Sequence, residues 1–321
     1  MKQKTLATLG FDKYAKTTRR AAFLAEMQRV VPWSELCALI EPVYPKPGNG
    51  RPPVGLERML RIYFLQHWFN LSDPAVEEAL YDSSAMRAFV GIDLGREPVP
   101  DETTVCKFRH LLEAHDLGRG LFEQVARHLQ ARGVKVASGT IVDATIINAP
   151  SSTKNQSGER DPEMKQTKKV NQCYFGMKAH IGVDSKTKLI HSVVATPANV
   201  HDSQVLGHLL HGAETRVWGD SAYVGQTEVI RRVAPHARDF TQAKASRNQA
   251  LSAVERAKNR NKSKVRAKGE HPFLVIKRLF GFAKVCYRGI AKNANRLFVA
   301  CALANLFMVR RTLLRTQQSY A

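Results

Sequence analysis

The spacing of hydrophobic positions changes once along the chain. Up to about residue 130, apolar side chains recur every three or four positions, as in amphipathic helices, and from Lys135 onward they form short runs typical of strands. We therefore predict an all-helical region at residues 1–130 and a mixed α/β region at residues 135–315. The helical spacing is clearest in one run: Leu56, Met59, Leu60, Tyr63, Phe64 and Trp68.

Two further stretches of the first region begin with a capping signal. Asp73 precedes Pro74, and Asp101 precedes a run in which Val105, Phe108 and Leu112 form an apolar stripe. We expect this stripe to be buried. The polar face of the same helix would carry Lys107, Arg109 and His110. Short capped helices in a basic chain are also typical of helix-turn-helix modules, so Lys107 and Arg109 are candidate DNA contacts.

The second region reads as strand, hairpin, helix, strand, helix, short strand and helices. VKVASGTIVDATIINA is the first strand, a polar stretch at Ser151–Val170 reads as a loop, and CYFGMKAHIGVD with LIHSVVAT reads as a hairpin. TRVWGD and HARDFTQ are later strands, and the helices continue to about Arg315. This order favours a ribonuclease-H-like mixed sheet over a Rossmann fold, whose GxGxxG motif does not occur in the sequence.

The chain is strongly basic. Its 321 residues include 49 Lys+Arg against 28 Asp+Glu, which gives a net charge of +21. Such a surplus favours a polyanionic partner, most commonly nucleic acid. The stretch Thr241–Glu270 concentrates nine cations against two glutamates, and we expect it to be mobile until DNA binds. The alternative to a DNA-binding role is that these cations form the solvent-exposed face of a helix.

Cysteines and apolar segments indicate the compartment. The five cysteines lack any CxxC pair, which disfavours a zinc ribbon or disulfide framework and favours a reducing cytoplasm. The N-terminus lacks the apolar core of a signal peptide. Leu297–Val309 is shorter than the roughly 20 residues of a membrane span, so we expect a buried helix and no membrane association.

One acid stands in an unusual place. TIVDATIINA reads as a strand covered on both faces, with Asp143 in its middle. An unpaired carboxylate there would be costly, so an arginine partner, a solvent-exposed strand end or a metal ion must compensate it. Asp220 ends another strand, where α/β sheets bind ligands, and Glu270 begins an amphipathic helix. Taken singly, Asp220 is equally a turn former and Glu270 a helix-start carboxylate.

Together the three acids suit one reaction. Hydrolysis or transfer of a phosphodiester needs an activated oxygen nucleophile and a stabilised leaving oxyanion. Two Mg²⁺ ions about 3.5–4 Å apart supply both, and such hard cations prefer carboxylate oxygens.

The chain resembles the DDE transposases of bacterial insertion sequences. The resemblance runs through GRPPVGLERMLRIYFLQHWFNLSDPAVEEALYD and PDETTVCKFRHLLE to IVDATIINAPSSTKN, YFGMKAHIGVD and GDSAYVG. Its most specific motif is arginine, three residues, glutamate, six residues, lysine, here Arg266, Glu270 and Lys277; Ser263 stands where the family often has a tyrosine. The spacing between Asp220 and Glu270 leaves no room for the large β-rich insertion of some relatives.

The resemblance implies roles for individual residues. Asp143, Asp220 and Glu270 would be the catalytic, metal-binding triad, with Mg²⁺ as cofactor and Mn²⁺ as a substitute. Arg266, Lys277 and Lys178 would contact DNA. His180, His201 and Asp202 have structural alternatives, as a strand histidine and a helix cap. Trp218 is a candidate for stacking on a flipped base, with core packing as the alternative, and the scattered histidines lack metal-hydrolase spacing.

The function that follows is cytoplasmic DNA transposition. The family's enzymes cut and join strands with water and then a DNA 3′-hydroxyl as nucleophile, without a covalent protein–DNA intermediate. The partners would be double-stranded DNA, both the terminal inverted repeats and the target, and a second subunit, since joining two ends requires a homodimer or a larger assembly. The alternative is a catalytically inactive transposase copy that acts as a DNA-binding repressor.

Overall fold

The fold was obtained as a computed structural model, which describes residues 16–50, 52–134, 138–156, 158–169, 171–246 and 249–318. The first fifteen residues, about which we predicted the lack of a signal peptide, lie outside this range. So do residues 135–137 at the start of the first predicted strand and residues 247–248 in the basic stretch.

Helices make up the first region, as predicted. Helix α3 is buried nearly all round, with Met59 to Trp68 continuously covered, so it forms the centre of this region. Asp101 caps α6 as expected, because its carboxylate accepts a hydrogen bond from the Thr104 N–H. The helices are α1 (Arg19–Val30), α2 (Trp33–Ile40), α3 (Leu56–Phe69), α4 (Asp73–Asp82), α5 (Ser84–Val90), α6 (Glu102–Ala114) and α7 (Leu117–Ala131).

The predicted cap of α4 was wrong by one residue. Ser72 is the cap, and its hydroxyl accepts from the Ala75 N–H. Asp73 is thereby free to point away from the helix end and pairs with Arg109 on α6. A serine that precedes Asp-Pro satisfies the same backbone N–H groups, so the sequence offered two possible caps.

The second region contains a mixed sheet. Its strands are β1 (Gly139–Asn148), β2 (Lys165–Lys169), β3 (Gln172–Asp184), β4 (Ile190–Pro197), β5 (Arg216–Trp218) and β6 (Arg238–Asp239). β3 lies antiparallel between β1 and β4, while β5 pairs parallel with β1 and β6 parallel with β5. The strand order β4-β3-β1-β5-β6 confirms the ribonuclease-H-like mixed sheet.

The polar stretch Ser151–Val170 is not wholly a loop. β2 lies within it and pairs with the first half of β3. Its sequence, KQTKK, contains no apolar residue and is almost entirely exposed, so the apolar alternation typical of a strand is missing. An edge strand of this kind is identified only by its hydrogen bonds to the neighbouring strand.

Helices complete the second region. α8 (Leu206–Leu209) and α9 (Thr227–Val233) flank β5, and α10 (Ala253–Arg266) leads through a 3₁₀ turn into α11 (Glu270–Leu274). A π-helical segment, Val275–Leu279, follows, and α12 (Ile290–Gln318) ends the described chain.

The core joins both regions through α12. Leu297, Phe298 and Cys301 are buried in the same apolar cluster as residues of α3 and α7. The Asn295 side chain accepts from the Gly118 N–H on α7, and Asn305 bonds both backbone groups of Ile190 on β4. The division at residues 130 and 135 therefore stays a prediction.

α12 is buried as expected, but it is longer than the apolar stretch suggested. By length and composition alone, Ile290–Arg315 would be able to cross a membrane, and 61% of its most apolar window is buried inside the protein. The core helix of a soluble protein passes the same test of length and composition.

Candidate active site

Parallel pairing places the first two acids side by side. Ile141 on β1 lies opposite Trp218 on β5, so Asp143 and Asp220, each two residues further on, come to the same level of the sheet. Side chains two residues apart on a strand point to the same face. Asp220 also caps the turn Ser221–Tyr223 by accepting from the Ala222 N–H, so the turn-forming alternative describes part of its role.

A glycine brings the third acid onto this strand. Gly269 ends the turn between α10 and α11, and a Cβ there would lie 2.9 Å from Ile141 Cγ2 and 3.9 Å from Asp143 Cβ. The backbone before Glu270 therefore packs directly against β1. Phe273, Ile276 and Phe280 hold the following segment in place, and all three are buried as predicted.

Arg266 lies between two of the acids. Its Nη1 is 3.5 Å from Asp143 Oδ2, and its Nη2 is 3.3 Å from Glu270 Oε1. Asp143 Oδ1 also accepts from the Ala144 N–H at 3.0 Å. The Asp143 side chain is 14% exposed, so an arginine partner and partial solvent access both compensate its charge.

The acids influence each other electrostatically. Burial raises the pKa of Asp143 to about 6; the Arg266 guanidinium and the Ala144 N–H oppose this shift, while Asp220 and Glu270 add to it. Within the described ranges, however, no three His, Cys, Asp or Glu side chains converge closely enough to hold one metal ion. The three carboxylates thus lie near one another, but they do not form a ready-made set of three ligands for a single metal ion.

The two lysines predicted to contact DNA have partners inside the chain. Lys277 Nζ donates to Thr145 Oγ1 and to the Ile146 carbonyl on β1, and burial lowers its pKa. Lys178 Nζ donates to the Val200 carbonyl and to Asp202 at 2.9 Å, with its side chain 13% exposed. Both lysines stiffen the strands beside the acids, and a DNA contact by either stays a prediction.

A fourth acid, Asp202, and Tyr223 lie near the triad; the sequence analysis considered Asp202 only as part of a helix cap and did not consider Tyr223. The Tyr223 hydroxyl is buried, and burial followed by the carboxylates of Asp202, Asp143 and Asp220 raises its pKa. Among the described residues it has no hydrogen-bond partner. His180, also fully buried, bonds Thr196 through Nε2, which supports the structural role of this strand histidine. Only the motifs VHDSQ and GDSAYVG could have indicated Asp202 and Tyr223.

Arg109 is not on an exposed face, and that expectation was wrong. It is 6% exposed and pairs at 3.0 Å with both Asp73 and Glu113, while its guanidinium covers the Tyr287 ring at 4.2 Å. Lys107 and His110 are exposed as expected, and the apolar stripe of α6 is buried. Helical spacing gives the face of Arg109 correctly, but α4 and the segment before α12 cover that face.

The basic stretch contains helix α10, and its expected mobility without DNA stays a prediction. Ser252 and Glu255 form a capping box at the start of α10, and no described residue of α10 is buried. One side is held by polar contacts: Asn259 exchanges hydrogen bonds with the Ala243 backbone, and Lys262 donates to the Thr241 carbonyl. The other cations of α10 before Arg266 face solvent: Arg256, Lys258, Arg260 and Lys264.

Trp218 belongs to the core. It is 8% exposed and its ring stacks on Phe240 with centroids 5.5 Å apart. The interpretation as a base-stacking residue has no support from this position.

Comparison with known families decides the identity. The family model described as "Transposase DDE domain" matches residues 135–306, more than half of the chain. The chain belongs to the DDE transposase family. A second model, "Transposase domain (DUF772)", matches residues 12–111. Among solved structures, the chain is similar to a piggyBac transposase in a synaptic complex with hairpin DNA. The two share 10% identity over 92% of this chain and 76% of the other, with a TM-score of 0.47.

The site of this transposase suits a hard cation. Its donors are carboxylate oxygens from strand β1, from the turn after β5 and from helix α11, and carboxylates are the ligand type that divalent ions such as Mg²⁺ and Mn²⁺ prefer. The Tyr223 hydroxyl is buried near these acids without a hydrogen-bond partner among the described residues, so one polar oxygen beside them is left unsatisfied by the chain itself. Proteins of this family generally use a divalent metal, and the donor set of this chain fits one.

Proposed function

We propose that this transposase binds the terminal inverted repeats of its own insertion sequence and cuts and joins their strands in a reaction that requires Mg²⁺, with Mn²⁺ as a substitute. Its partners are double-stranded DNA and at least one further copy of the chain, because two ends must be held together for joining. The reaction takes place on the nucleoid in the cytoplasm.

The observation that carries this proposal is the meeting of three acids from distant parts of the sequence. Asp143 on β1 and Asp220 just after the parallel strand β5 come to the same level, and the close approach of Gly269 sets Glu270 beside them. Carboxylates repel one another, so a chain gathers them in one place only where cations compensate the charge. Arg266 supplies one such cation.

Asp143, Asp220 and Glu270 would hold the metal ions. When bound, two such ions supply activation of the attacking oxygen and charge stabilisation at the departing oxygen of a phosphodiester. The chain contributes a rigid frame: Asp143 is fixed by the Ala144 N–H, Asp220 by the Ala222 N–H, and the segment after Glu270 by Lys277, which bonds β1.

The DNA backbone would follow α10 to the acids. Arg256, Lys258, Arg260 and Lys264 are exposed on this helix, which ends at Arg266 beside Asp143. Cations that neutralise phosphates release counterions, which favours binding without specifying sequence. Recognition of the repeats is assigned to the N-terminal helices, where Lys107 is exposed on α6.

Neutral isosteres of the acids test the proposal. Asp143→Asn, Asp220→Asn and Glu270→Gln should each reduce cleavage and joining of a supercoiled donor plasmid in Mg²⁺ to background, since each removes a charged ligand and keeps its shape. Without divalent ions, binding to an inverted-repeat duplex should stay within about twofold of wild type, since phosphates are contacted by cations elsewhere.

Matched controls come from neighbouring acids. Asp239→Asn alters an acid at the end of the adjacent parallel strand β6, and Glu228→Gln alters an exposed helix glutamate; both should retain full cleavage. Cleavage by the Asp143→Asn protein would refute the assignment. Wild-type protein that binds the repeats without ever cutting them would instead favour the repressor alternative.

A further inference from the structure

Arg266 occupies an unusual position for a candidate DNA contact. Its guanidinium reaches one oxygen of Asp143 and one of Glu270, at 3.5 Å and 3.3 Å. Its side chain is 23% exposed, and its Nε is buried with no hydrogen-bond partner in the described part of the chain. The interaction is therefore incomplete: the two charge pairs are long, and one donor is unused.

The same short segment delivers both the cation and the third acid. Arg266 is the last residue of α10, and Glu270 lies four residues later across the turn that packs on β1. Asp143 Oδ2 and Glu270 Oε1, which face Arg266, are the kind of oxygen that a divalent cation would bind. A guanidinium and a divalent ion would thus use overlapping sets of oxygens.

A phosphate offers Arg266 an alternative partner. The guanidinium fork matches phosphate oxygens in a bidentate arrangement, which two single contacts to separate carboxylates do not achieve. The exposed cations of α10 would bring a DNA backbone along the helix that ends at Arg266. Movement of the guanidinium from carboxylate to phosphate would free both acids.

We propose that Arg266 competes with divalent cations for Asp143 and Glu270 and gives up this position when DNA binds. The inference rests on the proposed function, since it assumes that the triad binds metal and that α10 binds DNA. It makes Arg266 a positioning residue that couples the two ligands. By linkage, DNA tightens metal binding by the same factor as metal tightens DNA binding.

Metal binding to the full-length protein, with no turnover, tests the inference. Free Mn²⁺ is measured by electron paramagnetic resonance during titration of wild type, Arg266→Gln, Arg266→Lys and the control Arg231→Gln, which alters an exposed arginine paired with Glu228 on α9. Without DNA, Arg266→Gln should bind Mn²⁺ roughly tenfold more tightly than wild type, within the usual range of such couplings. Arg266→Lys should fall between them, and Arg231→Gln should match wild type.

The second arm adds an inverted-repeat duplex. DNA should tighten Mn²⁺ binding by wild type and Arg231→Gln roughly tenfold and should leave Arg266→Gln almost unchanged, because its competitor is already gone. Circular dichroism and thermal melting of each variant confirm that the fold is intact. Arg266→Lys preserves charge and length, so it keeps the comparison interpretable if Arg266→Gln melts early.

Asp143→Asn shows whether the measured Mn²⁺ is bound at the triad or elsewhere on the protein. If this substitution removes the measured binding but Arg266→Gln binds no more tightly than wild type, the competition is refuted while the proposed function stands. If Asp143→Asn leaves Mn²⁺ binding unchanged in both backgrounds, the triad is not the metal site, and the proposed function fails together with the inference.

Discussion

Two arginines in this protein, Arg109 and Arg266, each lie between two carboxylates. They differ in the lengths of their ion pairs and in the exposure of their side chains. Arg109 is 3.0 Å from both Asp73 and Glu113, with 7% of its side chain exposed. Arg266 is 3.5 Å and 3.3 Å from its acids and 23% exposed. We call the first set of ion pairs the Arg109 bridge and the second the Arg266 bridge.

The comparison teaches that the surroundings of a cation decide its availability. The Arg109 bridge joins α4 and α6 and lies against the Tyr287 ring, so its charges are enclosed on several sides. The Arg266 bridge lies against the central strand β1, and its Glu270 half is 63% exposed. A buried ion pair is costly to open, whereas a longer pair with an exposed partner can exchange its cation at lower cost.

The largest expected effect comes from opening the buried bridge. Arg109→Gln leaves Asp73 and Glu113 without their cation, and removal of one partner from a buried pair costs about 3–5 kcal/mol. Arg266→Gln should cost less than Arg109→Gln, because its two ion pairs are longer and Glu270 is largely exposed, although the partly buried Asp143 also loses its cation. Urea denaturation of the two full-length variants measures the difference in the free energy of unfolding.

Two substitutions control this test. Arg119→Gln removes an exposed pair with Asp116 in the same region and should change stability little. Arg109→Lys should rescue only partly, because a single ammonium cannot reproduce the fork that reaches both acids. Equal losses of stability in Arg109→Gln and Arg266→Gln would end the distinction between the two bridges.

The sequence predicted the proximity of the three acids better than the surroundings of the two arginines. Asp143 stands out as a lone acid inside an apolar strand, and Asp220 as a lone acid just after one. Because the two strands pair in parallel, the two acids come close together. Glu270 was recognisable through the resemblance and the buried stripe that follows it. The fold class followed from the order of strands and helices, which depends on local periodicity.

Contacts between residues far apart along the chain could not be predicted from local periodicity. The burial of Arg109 depends on Asp73 and Tyr287, which only the tertiary fold brings near. His201 caps the turn Asp202–Val205 as expected, but the ion pair of Asp202 with Lys178 joins two separate segments and has no signal in the sequence. β2 lacked any apolar pattern, since an exposed edge strand is stabilised mainly by backbone bonds to its neighbour.

An intermediate effect is expected at the cations of α10, which resemble neither bridge because they face solvent. We expect replacement of Arg256, Lys258, Arg260 and Lys264 by Gln to weaken DNA binding almost equally for repeat and scrambled duplexes. The slope of log K against log salt should flatten by roughly one unit for each phosphate that the variant no longer neutralises. Fluorescence anisotropy at several salt concentrations measures both quantities.

Lys262 is left in place because it donates to the Thr241 carbonyl and so helps to dock the helix. Lys107→Gln on α6 provides a single-site comparison, with an expected change of about one unit of slope if that helix also meets DNA. An unchanged slope in the four-fold variant would show that the exposed side of α10 is only a solvated helix face.

The smallest effect is expected at Tyr223, beside the Arg266 bridge. Its hydroxyl is buried near three carboxylates and, in the described part of the chain, has no hydrogen-bond partner. A buried polar group without a partner costs about 1–3 kcal/mol, so Tyr223→Phe should stabilise the protein by about 1 kcal/mol in urea denaturation. Tyr174→Phe, which removes a hydroxyl bonded to Gln172 at an exposed position, should be nearly neutral. Loss of stability in Tyr223→Phe would show that the hydroxyl has a hydrogen-bond partner, such as a bound water. The polar groups beside the Arg266 bridge would then have more hydrogen-bond partners than the chain alone provides.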